Sequence, residues 1–85
     1  MSVHLLQVGD HLSLEIDADD LDRVRSYIQQ MYPDVSIGSA GITTVVSFGG
    51  SECMFQNEWD DPCLISGSLN GDTLLRRICD YFATK

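Results

Sequence analysis

Three cysteines and two histidines are the side chains of this sequence that could carry nucleophilic or metal-binding chemistry. Cys63 could be a nucleophile if His4 or His11 lay within hydrogen-bonding distance and a third group oriented the imidazole ring. A structural zinc site needs four ligands at a recognisable spacing, but nine residues separate Cys53 from Cys63 and there is no C-x-x-C motif. Because cysteine is among the residue types most often buried, we interpret the thiols as core or near-core residues. We therefore predict no catalytic residue, no metal ligand and no cofactor.

A short acidic segment, Glu58-Trp59-Asp60-Asp61, is a second candidate for chemistry. Neighbouring carboxylates can bind hard cations or transfer protons. An Asp-rich segment followed by proline is also the usual composition of a solvated turn. We predict the turn, with contact to a protein partner as the alternative, and we expect Trp59 to pack in the core.

A denser acidic cluster lies where the first helix is predicted to begin. Asp19, Asp20 and Asp22 place negative charge at the positive end of the helix dipole, and Asp17 can cap the helix. Together with Glu15, the cluster holds more charge than a helix start requires. A contact surface for a basic partner is therefore one function that we predict for it.

Common catalytic and nucleotide-binding motifs are absent from the sequence: there is no P-loop, G-x-G-x-x-G, H-E-x-x-H or G-x-S-x-G. A chain of 85 residues buries about 63% of its surface on folding. That fraction supports one modest core, but we do not expect a deep cavity of several hundred Å³ as well. A self-contained enzyme is therefore disfavoured, whereas an active site at a subunit interface stays open.

The net charge of −8, from 13 acidic and five basic residues, restricts the classes of partner. A negative field repels phosphate backbones and anionic lipids, so we predict no direct binding to nucleic acid or membranes. Such a charge favours a basic protein partner, or serves solubility alone. The sequence has no pattern typical of a secretory signal, no apolar run of membrane-spanning length and no disulfide framework, so we expect a cytoplasmic protein.

The beginning of the chain predicts a β-hairpin with apolar residues on both faces. Residues 3–8 and 11–17 alternate like strands around Gly9-Asp10, which is typical of a two-residue turn. That register pairs Val8 with His11. Leu6 and His4 then lie on the same outer face as Val8 and His11. An apolar outer face that nothing in the chain covers predicts a contact with another protein or with a second copy of this chain.

The rest of the pattern completes an α+β domain. A helix with one apolar stripe should end near Pro33, a second hairpin should turn at Gly49-Gly50, and a strand and a last helix should follow. Residues 34–41 are ambiguous: residues 35–37 could form a short strand, whereas residues 38–41 are typical of a loop or a bulge. The predicted order is β-β-α-(β)-β-β-β-α, a single domain spanning residues 1–85. We expect a two-layer sandwich with two helices on one face of a four- to five-stranded, mainly antiparallel sheet.

In size and charge alone, and through no shared motif, the chain resembles bacterial immunity and inhibitor proteins, some of which oppose basic nucleases. We therefore predict a non-enzymatic protein-interaction module, a small acidic regulator or inhibitor. The alternatives are a small enzyme or ligand-binding domain with its site at a homodimer interface, and a structural or assembly subunit. The residues predicted to contact a partner are Leu6, Val8, His4, His11, Asp19, Asp20, Asp22, Glu58, Asp60 and Asp61.

Overall fold

Six strands and two helices make up the described part of the chain in the computed structural model, which covers residues 3–41, 43–58 and 61–83. A short 3₁₀ turn, Ala18–Asp20, leads directly into the first helix. In chain order the elements are β1 (Val3–Val8), β2 (His11–Ile16), α1 (Leu21–Met31), β3 (Ser36–Ala40), β4 (Thr43–Phe48), β5 (Ser51–Glu58), β6 (Asp61–Ser66) and α2 (Leu69–Ala83).

All six strands form one antiparallel sheet in the order β1-β2-β6-β5-β4-β3. The α+β class and the order of elements are confirmed, but six strands replace the four to five that we expected. The additional strand is β3, the ambiguous segment, which pairs with β4 from Ser36 opposite Ser47 to Ala40 opposite Thr43. It lies at the sheet edge, where a glycine such as Gly38 weakens a strand least.

Both hairpins have the register that their turns predict. In the first, Val8 pairs with His11 and Leu5 with Leu14, and Gly9 has a φ of +61°. In the second, the loop residues Gly49 and Gly50 have φ values of +59° and +83°. Positive φ at both central residues is the geometry of a type I′ turn, which fits the twist of the flanking strands.

The two helices pack on the same face of the sheet and enclose the core with it. Tyr27 of α1 and Phe82 of α2 are in edge-to-face contact, with ring centroids 5.7 Å apart. Neither helix in the described ranges is long and apolar enough to cross a membrane. The buried core side chains include Leu14, Ile16, Val24, Ile28, Phe48, Cys53, Leu64, Leu75 and Ile78.

The first helix begins differently from the prediction. Asp17 makes no side-chain capping hydrogen bond. Instead, its carbonyl accepts the backbone N–H of Asp20 at 2.9 Å and closes the 3₁₀ turn. This tighter turn buries Asp20, which is only 5% exposed. The helix ends at Met31, in agreement with the effect expected of Pro33.

Candidate functional site

A continuous row of side chains crosses the sheet on the face opposite the helices. Each member lies directly opposite the next one on the neighbouring strand, so the row takes one residue from each of the six strands. Alternation along the strands points these residues away from the core. The row consists of Leu6, Ser13, Ile65, Met54, Val45 and Gly38.

Four members of this row are apolar, and no described element covers them. We call Leu6, Ile65, Met54 and Val45 the apolar row, and the surface that carries it the open face. Leu6 is 49% exposed and Met54 41%, whereas Ile65 and Val45 are half-buried by their neighbours. Val8, which is also 49% exposed, extends the apolar surface along β1. Ile65, Met54 and Val45 are neighbours, whereas Ser13 separates Leu6 from them. Apolar surface that no element covers is typical of an interaction site.

Polar residues lie beside the apolar row. In the next row of the open face, His4 pairs with Glu15 on β2, and Glu15 pairs with Cys63 on β6. The Ser13 hydroxyl donates a hydrogen bond of 2.6 Å to the Glu15 carboxylate. An apolar centre with a polar margin is the usual composition of a protein–protein interface.

Of the predicted contact residues in the first hairpin, three lie exposed on the open face: Leu6, Val8 and His4. His11 is different, because it is half-buried. Its Nδ1 atom lies 3.3 Å from Oδ2 of Asp72 in α2. The ring is therefore held at the end of the sheet by this carboxylate, so it is less available to a partner than we expected.

Asp72, in the first turn of α2, makes contacts that the sequence does not predict. It is buried, and besides the contact with His11 its carboxylate accepts the backbone N–H of Leu12 at 3.0 Å. Burial alone would raise its pKa, but the polar contacts with Leu12, Ser66 and His11 and the charge on the imidazole outweigh burial and lower the pKa. No local pattern indicates these contacts, since their partners lie far apart in the sequence.

The acidic cluster at the start of α1 is only partly exposed to solvent. Asp19 and Asp22 are exposed, but Asp20 is buried and lies 3.8 Å from Nη1 of Arg23. Because the 3₁₀ turn directs it inward, Asp20 is less available to a partner than we expected, and its contact role stays a prediction. Asp22 lies 3.7 Å from Nη1 of Arg25.

The acidic turn can be placed only through its backbone. Glu58 ends β5 and pairs with Asp61, which begins β6. Trp59 and Asp60 lie outside the described residues, as do the side chains of Glu58 and Asp61. The predicted contact role of Glu58, Asp60 and Asp61 and the predicted core position of Trp59 stay predictions.

Two of the three cysteines, Cys53 and Cys79, have thiol pKa values above the ordinary value. Burial, followed by the charge of Asp72, raises the pKa of Cys53 to about 11, so this thiol is inert near neutral pH. Burial, followed by the charge of Asp80, also raises the pKa of Cys79. Among the described residues, no three His, Cys, Asp or Glu side chains form a group that could hold a metal ion.

On the other face, a groove of about 470 Å³ lies between α1 and the sheet. We call it the α1 groove. Its walls include Val24 and Ile28 from the helix, Ile37 from β3, Val46 from β4 and Phe55 from β5. Because this groove is open to solvent, it differs from the deep cavity that we did not expect in so small a chain. Only the way in which the helix lies across the sheet creates the groove, and periodicity does not predict that.

Comparisons with known proteins give no relative for this chain. No family model matches it, and no curated protein or solved structure is significantly similar to it. A function therefore has to be argued from the geometry of the chain itself.

Proposed function

We propose that this protein is a non-enzymatic protein-interaction module that binds its partner through the open face of the sheet. The observation that carries the proposal is the apolar row, four side chains on four strands that no described element covers. Burying such side chains on association is favourable by about 25 cal/mol per Å² of apolar surface. Both helices pack on the opposite face, so a second molecule can approach without any rearrangement of the fold.

The open face has enough area for a specific contact. Six strands at about 4.8 Å spacing and about six residues in length at about 3.3 Å per residue cover roughly 500 Å² in projection. The accessible area of a surface with side chains exceeds its projection, so the face reaches roughly the 600 Å² per partner of the smaller specific interfaces. The contact would thus bury most of the face.

The charge of the chain favours one kind of partner. With a net charge of −8, the protein attracts basic surfaces and accelerates encounter with them. Exposed Asp19 and Asp22 add negative charge at the start of α1. A small acidic regulator or inhibitor of a basic protein, resembling bacterial immunity proteins in size and charge, is therefore the specific form of this proposal.

A second copy of the chain is the competing occupant. Sheets pack face to face in pairs with strand directions about 30° apart, and two copies of the open face would place one apolar row against the other. In that arrangement the function would be that of an assembly subunit. The oligomeric state of the protein and the capture of a partner from cells together distinguish a complex with another protein from a homodimer.

The experiment compares two Met→Lys variants in affinity capture from the cells that produce the protein. Met54→Lys places a charge in the apolar row, whereas Met31→Lys changes a methionine of α1 that is 58% exposed and lies off the open face. We expect the wild type and M31K to retain one stoichiometric basic partner, and M54K to lose it. The proposal fails if M54K retains the same partner, or if the wild type captures none and light scattering shows a monomer.

A further inference from the structure

The α1 groove exists because no helix covers the sheet beyond α1. The main contacts of α2 with the sheet are to β1, β2, β6 and β5. Strands β4 and β3, at the other end of the sheet, are not among them. Ile37 of β3 lies opposite Val46, on the same side of the sheet as the core, yet it is 65% exposed. The groove therefore leaves apolar side chains beside the core accessible from solvent.

The lining of the groove has an unusual charge for this chain. Most of the residues that line it are apolar, and the polar ones include Gln29 and Thr44. Among the described lining residues, Arg25 alone is charged, although the sequence holds 13 acidic residues and five basic ones. The guanidinium of Arg25 also pairs with the Asp22 carboxylate at 3.7 Å, so the groove offers one cationic side chain and no net positive charge.

We propose that the α1 groove binds a small amphipathic carboxylate, with its apolar body between α1 and the sheet and its acid group at Arg25. A guanidinium offers a planar pair of donors that matches the two oxygens of a carboxylate. An apolar wall with a few polar groups that fix orientation is the common composition of small-molecule sites, and about 300–1,000 Å³ is their usual size.

A straight-chain acid of ten carbons suits the volume of the groove. Each molecule in liquid water occupies about 30 Å³. At the same volume per heavy atom, the 12 heavy atoms of decanoate need roughly 360 Å³. That is less than the groove volume of about 470 Å³. Decanoate is therefore the probe for the test, with decanol as its neutral counterpart and decyltrimethylammonium as its cationic counterpart.

The test titrates the three probes, below their micelle concentrations, into ¹⁵N-labelled full-length protein. We expect decanoate to give saturable one-to-one shifts at residues 21–29, 35–37 and 44–46 and to leave Leu6 and Met54 unperturbed. Decanoate should bind about fivefold more tightly than decanol, which is the range of an exposed ion pair. The cationic probe should bind most weakly.

Two variants test the role of charge. Arg25→Gln should reduce decanoate binding to the level of decanol, because it removes the guanidinium and keeps a side chain of similar shape. Asp22→Asn should strengthen decanoate binding and leave decanol unchanged, because the Asp22 carboxylate lies 3.7 Å from Arg25 Nη1 and competes for it. Both positions are exposed, and the amide spectrum reports whether each variant is folded.

Several results would overturn the proposal. These are no saturable shift in the groove with decanoate, shifts confined to the open face, tighter binding of the cation than of the acid, or an R25Q variant whose preference for decanoate over decanol equals that of the wild type. None of them tests whether a protein binds the open face, so the two proposals can fail independently of each other.

Discussion

The carboxylate of Asp72 accepts the backbone N–H of Leu12 at 3.0 Å, although 60 positions separate the two residues in the chain. This hydrogen bond connects the first turn of α2 to the beginning of β2. Oδ2 of the same carboxylate lies 3.3 Å from the ring of His11. A single buried side chain therefore connects the helix layer to the hairpin that forms one end of the open face.

Replacement of Asp72 by alanine should destabilise the protein by about 2 kcal/mol. The change leaves the N–H of Leu12 without its acceptor in a buried position, and an unsatisfied buried donor costs about 1–3 kcal/mol. Urea unfolding measures the difference. Asp80→Ala is the matched control, because Asp80 is exposed on the same helix and such changes usually stay within about 0.5 kcal/mol. Equal losses in the two variants would contradict the role of Asp72.

Low pH should reduce the free energy of unfolding because it protonates the Asp72 carboxylate. The folded-state pKa of Asp72 lies below its usual value of 3.8. Its contribution to the free energy of unfolding is therefore complete above that value, and it is lost as the pH falls through the lower, folded-state pKa. Asp72→Asn keeps an oxygen acceptor but cannot titrate. The advantage of the wild type over D72N should shrink as the pH falls below about 4. An advantage independent of pH down to about pH 2 would contradict the lowered pKa.

Gly49 should tolerate a side chain less well than another turn glycine. A Cβ at Gly49 would lie 3.0 Å from a methyl carbon of Leu74 and 3.2 Å from a ring carbon of Tyr32, whereas a Cβ at Gly9 would meet nothing within 4 Å. Both residues have φ near +60°, so backbone strain of about 1–2 kcal/mol is common to both alanine variants. Crowding should add about 1 kcal/mol or more in G49A alone. Thermal or urea unfolding that ranks G9A as the less stable variant would contradict this packing.

Local sequence determines much of this fold. Gly9-Asp10 and Gly49-Gly50 indicated both hairpins and their registers, because a two-residue turn fixes which side chains lie opposite each other. That register also placed Leu6 and Val8 on the outer face before the rest of the sheet was known. The part of the open face that the first hairpin contributes could therefore be predicted.

The remaining features depend on contacts between distant segments. Ile65 and Met54 join the apolar row only because β6 lies between β2 and β5, and no local pattern fixes that order. Strand β3 contains Gly38 and serines and has weak strand propensity, so its pairing with β4 decides its conformation. The burial of Asp20 follows from a 3₁₀ turn that replaced the expected cap, and the contacts of Asp72 lie too far apart in sequence to be predicted.

A photo-crosslinking residue at position 54 tests the central claim most directly. Benzoylphenylalanine replaces Met54 in the apolar row or, as the control, Met31 on α1, and the producing cells are irradiated. We predict one discrete crosslinked product from position 54, containing a second protein, and no such product from position 31. No product from position 54, or the same set of products from both positions, would contradict the claim that the open face binds a protein.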